Sequence, residues 1–356
     1  MAATGEPFGV YVHIPFCASK CDYCAFATWT DRHYLTDDYL TALRTEIDRA
    51  VKGGMGVATS IFVGGGTPSM VDGQALGDVI AAVPVTVDAE ITVECNPDNV
   101  TDALLEAYRA AGVNRVSLGV QSMSSHVLGA LGRRHDQRNV CLAVEAIRRV
   151  DMASFNLDVI YGVAGESVGD WRHTVESIIE LEPPHVSAYA LTVEAGTPLA
   201  DQPDRHPDDD DQADKYELVD DLLTAAGLEN YEISNWAVAG HECRHNVLYW
   251  RQEDYRGFGC AAHSHHAGRR WWNVRTPDRY IDLVERREST EAAGETLDDA
   301  TRRFERLELL LRMPDGVPLD ALPGDELPGL VERTGDRWVL TRRGRLMAND
   351  IATRLT

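Results

Sequence analysis

Six short strand-like runs alternate with helix-patterned stretches through the first 195 residues, and this alternation restricts the fold more than any other feature. The runs are Gly9 to Ile14, Ser60 to Val63, Glu90 to Glu94, Arg115 to Val120, Phe155 to Tyr161 and His185 to Leu191. Between them, segments such as Asp38 to Val51 and Thr101 to Ala111 repeat apolar residues at helical spacing and open on an acidic residue or Thr. Strands alternating with helices argue for a parallel sheet, and six units with no sign of an order reversal favour a barrel-like (β/α)6 array. A doubly wound sheet is the competing arrangement, and periodicity does not separate the two. Either one puts its chemistry just beyond the strand ends, where the polar features of this chain gather.

At 356 residues, 44% apolar and 26% charged, the chain is an ordinary globular one with ample length for a large core. That composition excludes a disordered chain, a collagen-like repeat and a small disulfide scaffold. No stretch has the roughly 18 uncharged apolar residues of a membrane span. Met1 to Gly9 lacks the basic segment and apolar core of a secretory leader, so the expectation is a soluble cytoplasmic protein. The net charge of −23 repels polyphosphate backbones and argues against general nucleic-acid binding. Seven cysteines in such a chain point to metal ligation or buried thiols rather than disulfides.

Three segments are expected, at residues 1–200, 201–299 and 300–356. The first holds the parallel array. A Pro/Asp-rich stretch, Asp201 to Asp211, opens the second and reads as a solvated connector or helix lead-in. A helix from about Gln212 to Ala226 follows, then Tyr231 to Asn235 and a His/aromatic-rich stretch from His241 to Trp272. From about Asp299 the pattern is helical again, and Trp338 to Thr341 reads as a strand before Arg342-Arg343-Gly344-Arg345. A helix followed by a small hairpin predicts an α+β extension with a winged-helix-like end. Residues 301–356 carry 10 basic and 9 acidic side chains, too even a balance for a DNA footprint, so the wing is expected to be structural.

The strongest chemical signal sits directly after the first strand. Cys17, Cys21 and Cys24 form a CxxxCxxC spacing within His13-Ile14-Pro15-Phe16-Cys17-Ala18-Ser19-Lys20-Cys21-Asp22-Tyr23-Cys24. Thiolates are the usual ligands of iron–sulfur clusters, and one short loop can wrap three of them around a cube. Three ligands leave one iron open to a chelating small molecule. Zinc is the competing metal, with His13 or His33 as a fourth ligand, although structural zinc commonly uses two separated ligand pairs. Further polar residues stand at strand ends. The turn Val63-Gly64-Gly65-Gly66-Thr67-Pro68 lets backbone approach a neighbour closely. Glu94, Gln121 and Asp158 are polar residues flanked by strand-forming apolar ones, a costly placement without a partner. Four such features on successive strand ends point to a ligand site.

At the cysteines the chain resembles the radical S-adenosylmethionine superfamily, whose cluster motif is CxxxCxxC. More narrowly it resembles the branch containing oxygen-independent coproporphyrinogen III oxidase and the HemW-type haem chaperones. The matching pieces are Tyr11 through Phe26, the GGGTP turn, Glu94-Cys95-Asn96-Pro97 and Gly119-Val120-Gln121-Ser122. Leu131-Gly132-Arg133, Asn156 to Gly162 and Tyr231-Glu232-Ile233-Ser234-Asn235 match as well, so the likeness extends over almost the whole chain. The resemblance implies a partial (β/α)6 radical S-adenosylmethionine barrel with a 4Fe–4S cluster on Cys17, Cys21 and Cys24. It implies S-adenosylmethionine on the open iron, with contacts at Tyr11, Gly66, Thr67, Glu94, Gln121, Arg133 and Asp158. Arg133 suits a carboxylate, and the two acids suit amino or ribose groups.

Two features choose within that branch. The oxidases resembled here carry a further cysteine two positions after the third, where this chain has Phe26, a residue that neither ligates nor donates. His245-Asn246-Val247-Leu248-Tyr249-Trp250 resembles the HNxxYW signature of the haem chaperones. An imidazole can ligate haem iron while aromatic rings stack on the porphyrin, so His245 is the expected haem ligand. His263, His265 and His266 are other candidates, and Cys243 a thiolate one. A structural histidine beside a buried Tyr–Trp pair is the competing reading of His245. Cys95, Cys141 and Cys260 read as small buried hydrophobes. Trp271-Trp272 reads as a haem wall or as core.

The function expected from the resemblance is a haem chaperone with no catalytic residue assigned, delivering one haem to an apo-haemoprotein. That acceptor is expected to be respiratory and at the membrane, leaving room for peripheral membrane contact. Oxidative decarboxylation of coproporphyrinogen III is the alternative. A radical enzyme for a non-porphyrin substrate and a zinc-binding DNA module rank below it.

Overall fold

All six strand-like runs are strands, and their order decides between the two parallel arrangements. A computed structural model describes residues 6–356; the leader reading over Met1 to Gly9 therefore falls partly outside the described residues. The strands are β1 (Phe8–Ile14), β2 (Ala58–Gly65), β3 (Val85–Cys95), β4 (Arg115–Gln121), β5 (Ser154–Tyr161) and β6 (His185–Ala190). They pair in sequence order, each parallel to the next. The crossovers carry α1 (Thr36–Lys52), α2 (Gly73–Ala81), α3 (Asp102–Ala110), α4 (Ser125–Ala130), α5 (Gln137–Arg149) and α6 (Val168–Glu180). A doubly wound sheet needs an order reversal, and this sheet has none among its six strands. Right-handed crossovers advancing in one direction put every helix on one face. The other face becomes the lining of an open barrel. Local chemistry starts the helices: Thr101 caps α3, while Asp136 and Ser167 close capping boxes on α5 and α6.

The two faces of each strand carry opposite chemistry, as a period of two requires. Val10, Val12, Ile14, Ile61, Val63, Val93, Val116, Leu118, Leu157 and Val159 face the helices and are buried in one continuous apolar core. The lining is polar. Gly9 pairs with Ser60 and Ser60 with Glu90; one step up lie Tyr11, Phe62, Thr92 and Arg115. The next row joins Glu94, Ser117, Asn156 and His185, and Asp158 lies beside Gly119 and Ser187. Burying such groups is costly unless they pair, and most of them do, Thr92 Oγ1 and Arg115 Nε being exceptions. Asn156 Nδ2 donates to Ser117 Oγ at 2.7 Å and to Asp158 at 2.8 Å, while His185 bridges Asn156 and Tyr231 at 2.7 Å on each side.

Residues beyond 200 widen the same sheet at both edges. They contribute α7 (Asp209–Ala225), β7 (Glu229–Glu232), β8 (Asn235–Ala237), α8 (Arg244–Trp250), β9 (Asp254–Phe258), β10 (His263–His266), β11 (Arg269–Asn273), α9 (Pro277–Glu285) and β12 (Glu291–Thr296). The aspartate run forms the first turn of α7, where Asp208 caps the helix and negative charge meets the positive end of its dipole. The β7–β8 hairpin pairs antiparallel with β6. Strand β9 enters parallel beside β1, and β10, β11 and β12 continue outward as an antiparallel meander. The stretch Tyr231-Glu232-Ile233-Ser234-Asn235 is structural in this setting. Tyr231 holds His185 and the Cys243 amide, and Glu232 accepts from Ser234 and Arg312.

The end of the chain has a separate small core. Helix α10 (Asp299–Leu311) packs Leu307 and Leu311 on a three-stranded antiparallel sheet of β13 (Val317–Pro318), β14 (Val331–Thr334) and β15 (Arg337–Leu340). The short helices α11 (Arg342–Leu346) and α12 (Ala348–Ala352) close this winged unit. Arg342 and Arg345 pair with Asp220 and Asp221 of α7, so these arginines tie the wing to the barrel. No helix among the described residues is long and apolar enough to cross a membrane.

Helix α8 plugs the lower end of the barrel. Glu90 accepts from the backbone amides of Arg244 and His245 at 3.1 Å each, so a buried carboxylate anchors the helix start. The His245 ring is fully buried, with Nδ1 2.9 Å from Ser60 Oγ and Nε2 2.8 Å from the Tyr249 hydroxyl. Burial pushes its pKa down to about 3. The unfolded chain protonates histidine near pH 6.5, so between those values the unfolded state binds the extra proton and stability falls as pH falls, by up to about 1.4 kcal/mol per pH unit. A glutamine at this position has no such proton. In urea unfolding, the stability advantage of the wild type over His245→Gln should therefore shrink on going from about pH 7 to about pH 5. A pH-independent difference would contradict the neutral, buried imidazole.

Candidate cluster and cofactor site

The three motif cysteines occupy the loop that leaves β1 at the upper rim. Its root is clamped by backbone pairing, with Trp29 N donating to Pro15 O at 2.8 Å and Cys17 N to Trp29 O at 3.1 Å. Farther along, Cys24 N donates to Cys21 O at 3.2 Å, a turn that places the second and third thiols together. All three are free and partly buried. Burial pushes the Cys17 and Cys24 thiols up, and a bound cation reverses that preference toward thiolate. Among the described residues no three His, Cys, Asp or Glu side chains converge on a point where one ion would bind. A cube spreads its thiolates over different irons, whereas a tetrahedral zinc gathers its ligands around one centre. For zinc, a fourth ligand would have to come from His13 or His33. His13 spends its ring nitrogens on Tyr11 and the Ala27 carbonyl, at 3.0 and 2.9 Å, and His33 Nε2 lies 3.1 Å from Cys17 O.

The glycine turn serves this loop. Gly65 adopts φ +112°, and a Cβ there would lie 2.4 Å from the His13 ring; a Cβ on Gly66 would lie 2.6 Å from Phe16 O. Only glycine lets β2 end so near β1. Gly66 N and Thr67 N then donate to Ile14 O and Phe16 O at 2.7 and 2.8 Å, and Thr67 Oγ1 donates to Cys17 Sγ at 3.5 Å. The close approach is thus to the protein's own cysteine loop.

The other polar residues named from the sequence surround the same rim. Glu94 accepts from Gly65 N at 3.1 Å, and its carboxyl is pushed up to about 7 by burial and by the nearby charge of Asp158. Burial also raises Asp158, against hydrogen bonds from Ser117 and Asn156. Gln121 ends β4 at φ 64°, in a bulge that turns it back over Gly119. Arg133 reaches the same place, with Nη2 donating to Gly119 O at 3.0 Å and Nη1 to Cys21 Sγ at 3.8 Å. Its Nε is buried without a partner. An unmet donor on a guanidinium beside the cluster loop fits a carboxylate ligand. The residues present therefore suit a three-thiolate cluster with a chelating amino acid on its open iron.

His245 does not join this rim. It lies near Glu90, four residues and roughly 13 Å down β3 from Glu94, with both ring nitrogens occupied and no exposed surface. Its link upward is Tyr249, whose ring meets that of Tyr255 edge-on at 4.6 Å. Those tyrosines line a cavity of about 880 Å³ that also touches Tyr11, Phe26, Glu94, His263, Arg270 and Trp272. It runs from the cofactor rim to the β9–β11 meander. Phe26, in place of a fourth cysteine, is 62% exposed at its edge. Trp272 lines it, while Trp271 is buried. Cys95, Cys243 and Cys260 are buried thiols, and Cys141 is half-buried on α5. Sequence reading missed Glu90, Arg115, Asn156 and His185. Their signal was the alternation of polar with apolar residues along the strands.

A family model described as the radical SAM superfamily matches residues 11–178. The heme chaperone HemW of Mycobacterium tuberculosis is 40% identical to this chain over 99% of it and 95% of the relative. That of Escherichia coli is 36% identical over 97% of each, and that of Bacillus subtilis 33% identical over 96% of this chain and 97% of its own. The structure of coproporphyrinogen III oxidase (HemN) from Escherichia coli superposes with a TM-score of 0.83 over 98% of this chain and 89% of that one. At 22% identity that likeness establishes the shared fold. With relatives so similar along nearly their whole length, the chain belongs to the HemW heme chaperone family, built on a radical SAM fold.

Proposed function

We propose that this protein carries one haem and delivers it to an apo-haemoprotein, using a 4Fe–4S cluster and S-adenosylmethionine held at the barrel rim. The observation that carries this reading is a continuous cavity that joins Glu94 and Tyr11 at the rim to the histidine- and aromatic-rich meander. Its volume of about 880 Å³ lies in the upper part of the range for cofactor sites. The relatives' name, heme chaperone, supports the same conclusion.

In this reading Cys17, Cys21 and Cys24 hold three irons of the cluster. Arg133 receives the cofactor carboxylate at its unpaired Nε. Glu94 and Asp158 accept from amino and ribose groups, and Tyr11, Gly66, Thr67 and Gln121 complete the pocket wall. When bound, the cluster and S-adenosylmethionine supply one-electron chemistry. The chain's own part is to fix their geometry and to keep the rim dry with Phe26 and the cysteine loop. Residues 1–200 hold cluster and cofactor, 201–299 supply the haem pocket, and 300–356 brace it through α10. His245 reaches a haem only if its ring leaves Ser60 and Tyr249. With its ring held by these two hydroxyls, it acts on the cavity through Tyr249. The acceptor is a haemoprotein, for which we propose a respiratory one at the membrane, with the chaperone itself cytoplasmic.

Replacing Cys17, Cys21 and Cys24 by alanine should abolish the cluster, taking anaerobically reconstituted protein from about four irons per chain to none in iron and sulfide analysis. Retention of a full iron complement would remove these cysteines as ligands. Arg133→Ala should weaken S-adenosylmethionine binding to the cluster-loaded protein by about tenfold or more in calorimetry, the loss of a charge-assisted hydrogen bond. Unchanged affinity would take Arg133 out of the pocket. For the function itself, haem-loaded protein mixed with an apo-haemoprotein should pass its haem on, followed by the Soret spectrum of the acceptor. Haem that stays bound, with conversion of coproporphyrinogen III by the reduced protein, would favour the oxidase instead.

A further inference from the structure

Haem needs a donor with a free lone pair that faces the cavity, and the histidines near it differ in this respect. The rings of His13 and His245 have both nitrogens engaged. His266 points away from the sheet lining and pairs with Asp254 at 2.7 Å. His265 is held through Nδ1 by the Glu253 carbonyl at 3.2 Å, and its bare Nε2 is closed off. His263 alone among them is exposed within the cavity lining and makes no hydrogen bond to any described residue through either ring nitrogen.

The surroundings of His263 are those of a ligating imidazole. Its strand neighbour across β10–β11 is Trp272, and the two rings stack with centroids 5.6 Å apart and planes 26° from parallel. The indole therefore fixes the plane of the imidazole without occupying its nitrogens. Burial and the Arg270 charge both lower its pKa, which keeps the lone pair free at neutral pH. Arg270 is itself neutralised by Glu295 and Glu305. Arg275 lines the same cavity, is exposed, and has no ion-pair partner among the described residues. A free guanidinium at the mouth suits a porphyrin propionate.

We propose that His263, rather than His245, ligates the haem iron in this cavity, with Trp272 orienting its ring and Arg275 receiving a propionate. The assignment rests on the haem-carrying reading above and names its ligand. His245 is then a positioning residue, acting through Tyr249.

The test uses the full-length, cluster-loaded protein, titrated anaerobically with ferric haem and, separately, with metal-free protoporphyrin IX. His263→Ala should weaken haem binding by about tenfold or more and change the iron's Soret and electron paramagnetic resonance signatures. Binding of the metal-free porphyrin should stay within about twofold, because it never used the iron bond. Added imidazole should restore the wild-type haem spectrum in His263→Gly. Equal losses for both porphyrins would mean that His263 only shapes the wall, and an unchanged haem spectrum in His263→Ala would place the ligand elsewhere. Either result overturns this assignment while leaving haem carriage intact. A wild type that binds neither porphyrin overturns haem carriage itself.

Discussion

The structure depends on satisfying a polar barrel lining. Parallel βα units bury one face of every strand against helices, and the chain spends its Val, Ile and Leu there. The opposite face points into the barrel, where Glu90, Arg115, Ser117, Asn156, Asp158 and His185 face one another rather than water. Each unpaired group there would cost about 1–3 kcal/mol or more. The lining is solved in two ways. At the lower end most of it pairs internally, and the backbone amides of α8 complete Glu90, although Thr92 Oγ1 and Arg115 Nε stay unpaired. At the upper end it stays incomplete: Arg133 keeps an unmet donor, and Glu94 is held against Asp158 with its pKa near 7. An unmet donor beside the cysteine loop is what a ligand site requires, since the ligand supplies the missing partner.

The same division explains what the sequence disclosed. Glu94, Gln121 and Asp158 stand out because an apolar run on either side makes a polar residue conspicuous, and the cysteine spacing is legible because it is local. The parallel strand order follows from six regular repeats. Strand β9 was not legible. Its sequence, Asp254 to Phe258, has little strand character, and it pairs with β1 some 245 residues earlier in the chain. Its place is set by tertiary context, Gly257 lying beside Tyr11. The fully exposed β12 has no apolar alternation to read either.

His245 illustrates the limit from the other side. A histidine before Leu248, Tyr249 and Trp250 reads equally as a ligand or as a buried hydrogen bonder, because both uses want an imidazole among aromatic rings. Only the long-range partners separate them. Ser60 lies 185 residues away in sequence and takes Nδ1, while the local Tyr249 takes Nε2. The glycine turn is a parallel case. Its glycines signal a close approach, and the sequence cannot say to what. The structure gives His13 and Phe16 as the neighbours. The motif secures the cysteine loop first, and any contact with a small molecule builds on that.

These placements connect the two ends of the barrel. Glu90 anchors the start of α8, and His245 on that helix holds the hydroxyl of Tyr249. Tyr249 packs edge-on against Tyr255 of β9, and both line the cavity that opens at Glu94. A ligand entering that cavity therefore presses on a wall whose far support is the buried plug, while its near end faces the cofactor rim. Rigid support of this kind matters for the haem carriage proposed above. The cost of ordering the pocket is met when the chain folds, so the cargo's binding energy need not supply it. Under the ligand assignment proposed above, removing the His245 ring would loosen Tyr249 without touching a porphyrin. A residue can thus matter to binding while lying out of reach of the ligand, and the plug and the pocket are one mechanical unit.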